Sequence, residues 1–273
     1  MHFRDIYRKK EAQHLIFAVK SSDIEYYDND TRIFFERIID KIHKYDSIRN
    51  HHWDETDCVP DEAPFIQGDK IEQGLPDIIF EGEDFILGIE DFEFDASKKT
   101  KKGSKMRIAE LRTKKQLEQK MTSVKEPIKK PTIIESFVDV DFSYKSYVQS
   151  LLNAFQTHSN NIENYRNSMQ RIYPNKHIFL AFYIEDITAI GNYIDTQEGT
   201  KPMCPLFVKE FLDILSNISG LDYILARVQN TYTYKIHIQK VDPSALYALY
   251  ENSYDLTRDK FISYHYKKTQ RIY

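Results

Sequence analysis

The chain has 273 residues, 41% of them hydrophobic and 14% aromatic, enough to build a core in one large domain and too much for a disordered protein. No run of about 18 apolar residues suggests a membrane span, and Met1-His2-Phe3-Arg4-Asp5 lacks the apolar segment of a secretory signal. The net charge of −4 hides an asymmetry: residues 98–130 hold thirteen Lys/Arg against three Asp/Glu, a surplus of ten, while the rest has 25 basic and 39 acidic residues and stands at −14. A basic block on an acidic chain either attracts a polyanion or forms a solvated surface segment. Cys58 and Cys204 sit far apart, outside any paired spacing, which fits a reducing compartment and a cytoplasmic protein.

In chain order, the apolar run Leu15-Ile16-Phe17-Ala18-Val19 predicts a strand. A helix is expected from Asn29-Asp30-Thr31, with Phe34, Phe35, Ile38, Ile39, Ile42 and Tyr45 as its core face. Residues 46 to about 70 look irregular. Pro76-Asp77-Ile78-Ile79-Phe80 and Phe85-Ile86-Leu87-Gly88-Ile89-Glu90 predict a hairpin. The basic block follows, weakly helical from Met106 to Met121 and ended by Pro127 and Pro131. One long helix is expected over 142–169, with Tyr144, Val148, Leu151, Leu152, Phe155 and Ile162 as its apolar stripe. A buried strand over 177–184, a helix from Pro205 to Ile218 stopped by Gly220, strands over 222–228 and 232–238, and a short helix over 243–250 precede a Lys/Arg/Tyr tail. The pattern predicts an α/β fold with a central mixed β-sheet flanked by helices.

Asp77 and Glu90 are the first candidates for chemistry, because carboxylates on adjacent strands make a rigid pocket for a hard divalent ion such as Mg²⁺. Their faces depend on register. An even hairpin connection sets Asp77 opposite Gly88 and projects Asp77, Ile79, Ile86, Gly88 and Glu90 together, leaving Ile78, Phe80, Phe85, Leu87 and Ile89 as a uniformly apolar face. Glu90 is then a diagonal neighbour of Asp77. An odd connection sets Asp77 opposite Ile89, on a face shared with Asp91 and Glu93, and mixes the apolar faces; the even register is therefore preferred. A bulge after Glu90 would swing Glu93 or Asp95 round as further acids.

A Pro-Asp pair opening one strand, then an acidic residue about a dozen positions on in the next, resembles the PD-(D/E)XK, restriction-endonuclease-like nucleases. The motif lies within Pro76–Asp95, and the elements of residues 60–240 are similar in order to that fold. The resemblance implies a single nuclease-like domain over 1–273, with a core at about 60–240, a basic helical insertion at 98–131, and an N-terminal strand-helix unit at 13–50 packed on the core. It also implies Mg²⁺ or Mn²⁺ held by Asp77 and Glu90, and hydrolysis of phosphodiester bonds in DNA rather than RNA, in restriction or defence against foreign DNA. A catalytically inactive module of the same fold, binding nucleic acid or a partner protein, is the alternative; a homodimer stays open.

One position departs from the family pattern. The family's lysine, which positions or activates water and stabilises negative charge, falls at Phe92. Either Lys98, Lys99, Lys101 or Lys102 replaces it in space, or Glu93 or Asp95 serves with a second metal, or the site is inactive. Lys101 and Lys102 are the candidate catalytic lysines; Lys98, Lys99, Lys101, Lys102, Lys105 and Arg107 are the candidate nucleic-acid contacts. His51, His52, Trp53, Asp54, Asp57 and Cys58 match no zinc spacing and read as a loop. Glu72 reads as a surface acid, and Gln149, Gln156 and Tyr165 as solvent-facing.

Overall fold

The structure, a computed structural model, describes residues 15, 18–51, 65–66, 74–96, 99–100, 103–104, 108, 111–112, 114–116, 118–119, 132–138, 142–188, 192–229, 233–262 and 266–272. The elements run β1 (Ser22–Tyr26), α1 (Asn29–His51), β2 (Phe65–Ile66), β3 (Ile78–Glu81), β4 (Phe85–Phe94), β5 (Lys99–Thr100), β6 (Gly103–Ser104) and β7 (Thr132–Val138). They continue as α2 (Tyr144–Ser159), α3 (Ile162–Ile172), β8 (His177–Asp186), β9 (Tyr193–Thr196), β10 (Gly199–Pro202) and α4 (Lys209–Leu215). The last are β11 (Tyr223–Gln229), β12 (Tyr234–Lys240), α5 (Pro243–Glu251), β13 (Lys260–Ile262) and β14 (Tyr266–Ile272).

The expected mixed sheet is present. Seven strands run in the order β1-β12-β11-β8-β4-β3-β2. Three of them, β4, β8 and β11, are mutually parallel, and β3 and β12 run against them. Both faces are covered, which is why β8 reads as a nearly continuous apolar run. On one face Ile86, Phe92, Phe94, Leu180 and Phe182 pack with Tyr147, Leu151 and Phe155 of α2, Met169 of α3 and Phe211 of α4. On the other, Ile78, Phe80, Leu87, Ile89, Ala181 and Leu225 pack with Phe35, Ile38 and Ile39 of α1. Among the described residues, no helix is long and apolar enough to cross a membrane.

Three local expectations are corrected. Leu15, Ala18 and Val19 are helical rather than extended, and all three are buried. Their spacing is i, i+3, i+4, so a short apolar run that suits a strand equally suits one face of a helix. The strand of this region is β1, seven residues later than the run suggested. The single helix over 142–169 is two helices, broken at Asn160-Asn161. The expected 205–218 helix is a 3₁₀ turn at Pro205–Phe207 followed by α4. Helix starts follow capping chemistry: the Asp28 carboxylate accepts the Thr31 N–H at 2.7 Å, and Ser143 and Ser146 form a reciprocal box at the start of α2.

Candidate functional site

The hairpin pairs Ile78 with Ile89, Ile79 with Gly88, Phe80 with Leu87 and Glu81 with Ile86. This is the even class of connection, and the apolar face is the expected one, since Ile78, Phe80, Leu87 and Ile89 all enter the α1-side core. The pairing differs from the expected one by two residues. The ladder ends at Ile78–Ile89, and continuing its register by one step leads Asp77 toward Glu90 rather than Gly88. Gly88 serves a packing purpose instead: a Cβ there would come within 2.6 Å of Pro76 Cγ and Met169 Sδ. Its absence lets the Pro76 ring lie on β4 and seats the chain just before Asp77.

Each carboxylate is oriented. The Asp77 Oδ2 accepts the Asp91 backbone N–H at 3.0 Å, where the β3–β4 ladder has ended. Glu90 is 6% exposed, and its Oε1 accepts the Tyr165 hydroxyl at 2.8 Å. His158 Nδ1 lies 2.7 Å from the same oxygen, a bond the carboxylate accepts when Nδ1 carries the proton. Burial, then the bond to Glu90, then the charges of Glu90 and Asp77 push the Tyr165 hydroxyl above its ordinary pKa. Both acids therefore act on one corner of the molecule. The His158 side chain is 28% exposed, so this corner reaches solvent.

Phe92, where the sequence resemblance leads one to expect a lysine, forms the inner wall of that corner. It is buried, its ring stacks on His158 with centroids 4.5 Å apart, and Phe182 meets its edge. Phe92 thus holds the imidazole that holds Glu90. His158 went unnoticed in the sequence, yet it continues the α2 stripe Val148, Leu151, Phe155 by a further three residues, and that spacing was the available signal. Tyr165, expected to face solvent, instead turns toward Glu90; Gln149 and Gln156 do face solvent.

Glu93 is exposed and belongs to the opposite face of β4 from Glu90. The β4–β8 ladder runs without a slip from Phe85–His177 to Phe94–Asp186, so no bulge turns Glu93 or Asp95 toward Asp77. Asp95 is buried near Asp186. Lys99 lies in β5, but its side chain falls outside the described residues, as do Lys98, Lys101, Lys102, Lys105, Arg107, Glu72, His52, Trp53, Asp54, Asp57 and Cys58. His51 closes α1. Among the described residues, no three His, Cys, Asp or Glu side chains converge as a metal-binding group.

Two carboxylates still suit Mg²⁺, which keeps several waters and is usually held by one or two carboxylates plus substrate phosphate oxygens. The donors to Glu90 converge on Oε1, so Oε2 is the oxygen a cation would take. If Glu90 ligates a divalent ion, replacing His158 with Ala or Tyr165 with Phe is expected to weaken that ion's affinity by about 10-fold or more, the effect typical of residues that orient metal ligands. Calorimetric titration with Mn²⁺ checks this.

Asp186 defines a second polar cluster. Its carboxylate accepts the Thr188 N–H at 3.0 Å and the Asn192 Nδ2–H at 2.7 Å. Complete burial outweighs these bonds and, with the Asp95 charge, pushes the acid up to about 6 from 3.8. The folded state therefore favours neutral Asp186. That contribution is complete below the unfolded value and lost as pH rises through about 6. Asp186→Asn should gain roughly 3 kcal/mol relative to wild type between pH 4 and 7, read from urea unfolding at both values.

No protein-family model matches the chain, and neither a curated protein nor a solved structure matches it.

Proposed function

We propose that this chain is a divalent-metal-dependent nuclease hydrolysing phosphodiester bonds of DNA, with Asp77 and Glu90 holding Mg²⁺ or Mn²⁺. The observation that carries this reading is Glu90, buried and fixed by Tyr165 and His158, with Asp77 one register step beyond the end of the β3–β4 ladder. A chain need not bury a carboxylate beside apolar strands to fold, and such acids concentrate at functional sites. The motif around the pair supports a PD-(D/E)XK-type site on a restriction-endonuclease-like core.

A bound divalent ion would neutralise charge on the phosphate and acidify an attacking water. The chain's own residues supply the frame. Asp91 N–H orients Asp77, Tyr165 and His158 orient Glu90, and the Phe92 ring backs His158. Hydrolysis adds the water oxygen to phosphorus, breaks a phosphorus–sugar oxygen bond and delivers a proton to the departing oxygen. Lys101 or Lys102 would stabilise negative charge, and Lys98, Lys99, Lys105 and Arg107 would neutralise flanking phosphates. Glu93, on the opposite face of β4, and Asp95, buried near Asp186, take no part in this site. Such chemistry suits a cytoplasmic restriction or defence enzyme.

Phe92, buried where the family has lysine, favours a second reading: an inactive module of this fold that binds nucleic acid or a partner protein. Supercoiled plasmid, linear DNA and RNA incubated with Mg²⁺ or Mn²⁺ separate the two. Nicking or linearisation of plasmid supports the enzyme; inertness on all three rejects it.

A further inference from the structure

Helix α3 meets glycines from three separate segments of the chain. A Cβ at Gly74 would lie 3.2 Å from Ser168 Oγ, one at Gly88 2.6 Å from Met169 Sδ, and one at Gly220 3.0 Å from Ile162 Cγ2. Gly74 and Gly220 also have positive φ, 103° and 81°, where other residues are strained. Glycine at these points lets backbone approach the helix more closely than a side chain would allow. Arg166 anchors the same helix. Its guanidinium donates to the Gly220 carbonyl at 3.1 Å, the Ile178 carbonyl at 3.0 Å and the Asp222 carboxylate at 2.7 Å. α3 is thus seated on the starts of β8 and β11 without help from Asp77 or Glu90.

The residues that α3 turns toward the acids form one stripe. Tyr165, Ser168 and Met169 are spaced i, i+3, i+4, and all three are buried. Tyr165 donates to Glu90 at 2.8 Å. Met169 Sδ and Pro76 Cγ each lie 2.6 Å from the position of a Gly88 Cβ, so sulfur, proline ring and β4 backbone meet at one point. That point immediately precedes Asp77, and Gly74 brings the chain against Ser168 two residues before the ring. Asp77 itself lies beyond the last β3–β4 pair and meets β4 through the Asp91 N–H, at 3.0 Å.

We infer that α3 is the common platform that positions both acids, holding Glu90 through Tyr165 and Asp77 through the Gly74–Pro76 segment, so that Gly74, Gly88 and Met169 are positioning residues of the site. The inference deepens the metal-site reading above and rests on it. A methyl group at position 88 strikes two neighbours of different stiffness. The Met169 side chain is flexible and can turn aside. The Pro76 ring is rigid, and moving it carries Asp77 away from the Asp91 N–H. A methyl group at position 74 acts one step earlier, because the positive φ and the Ser168 contact resist it together.

Hydrogen exchange of the Asp91 amide, followed by NMR on the metal-free full chain, reads the bond to Asp77 directly. Calorimetric titration with Mn²⁺ reads the assembled pair. Gly74→Ala and Gly88→Ala should each speed that exchange about 10-fold, the change for loss of one hydrogen bond. Each should also weaken Mn²⁺ binding about 10-fold, as when a metal ligand loses its support. Gly88→Ala/Met169→Ala removes the sulfur that the methyl group strikes and should recover much of both losses. Leu212→Val, a change to the same core from α4, should leave both readings near wild type. Gly74 belongs to no strand or helix, so its variant decides the matter where Gly88→Ala fails to fold. Asp91 protection unchanged by the glycine variants, or disturbed equally by Leu212→Val, overturns the role of α3 and leaves the metal site standing. A wild type that binds no Mn²⁺ while the glycine variants still expose the Asp91 amide overturns the metal site and leaves the positioning of Asp77 intact.

Discussion

On the nuclease reading, Asp77→Asn and Glu90→Gln are each expected to reduce Mg²⁺-dependent plasmid cleavage on the order of 10²- to 10³-fold, the range seen when one preorganised electrostatic group is removed from a hydrolytic site. These substitutions separate charge from folding. An amide at position 77 still accepts the Asp91 N–H, and an amide at position 90 still accepts the Tyr165 hydroxyl. Thermal midpoints should therefore stay near wild type while turnover falls. Glu90→Ala is less clean, because it strands a buried hydroxyl and an imidazole at a cost of about 1–3 kcal/mol. Cleavage that persists in both amide variants places the chemistry elsewhere, and a fall confined to Glu90 variants with lowered midpoints makes the carboxylate structural.

Arg227→Ala lowers the unfolding free energy by about 3–5 kcal/mol, because it leaves the Glu185 charge buried without its guanidinium. Arg227 on β11 and Glu185 on β8 are register partners, with Nη1 2.6 Å from Oε1 and side chains 4% and 11% exposed. The arginine also donates to the hydroxyls of Ser21 and Ser22 and lies 3.8 Å over the Tyr234 ring. It thus fastens the chain leading into β1 to the centre of the sheet. The double change Arg227→Met/Glu185→Leu should recover most of that loss, since apolar replacements remove both desolvated charges together. Urea unfolding followed by circular dichroism measures both; a single-variant loss under 1 kcal/mol means that water reaches the pair.

Much of this architecture is written in periodicity. The apolar face Ile78, Phe80, Leu87, Ile89 is legible because a one-residue slip would expose it, so burial fixes the parity of the hairpin. Burial does not fix a slip of two, which preserves both faces, and for that reason Asp77 was expected opposite Gly88. The Leu15–Val19 run is too short for periodicity to separate helix from strand. β1 hides in the polar string Ser22-Asp23-Ile24-Glu25-Tyr26 because it is an edge strand with one neighbour. The ribbon of β7 and β14 is invisible locally, since each strand has its partner more than a hundred residues away.

The site shows the same division. Asp77 and Glu90 stand out by type and spacing. His158 does not, because a histidine on an apolar stripe reads as ordinary core packing until the tertiary contact puts Glu90 against it. Phe92 looked only like a missing lysine, whereas its contact with His158 gives it a positioning role.

The most direct measurement is Mn²⁺ binding followed by electron paramagnetic resonance on wild type, Asp77→Asn and Glu90→Gln, without nucleic acid. Wild type should bind Mn²⁺ in competition with Mg²⁺, and each variant should lose that binding while keeping its circular dichroism spectrum. Binding unchanged in both variants, or none in wild type even at millimolar Mn²⁺, would contradict a metal centre at Asp77 and Glu90.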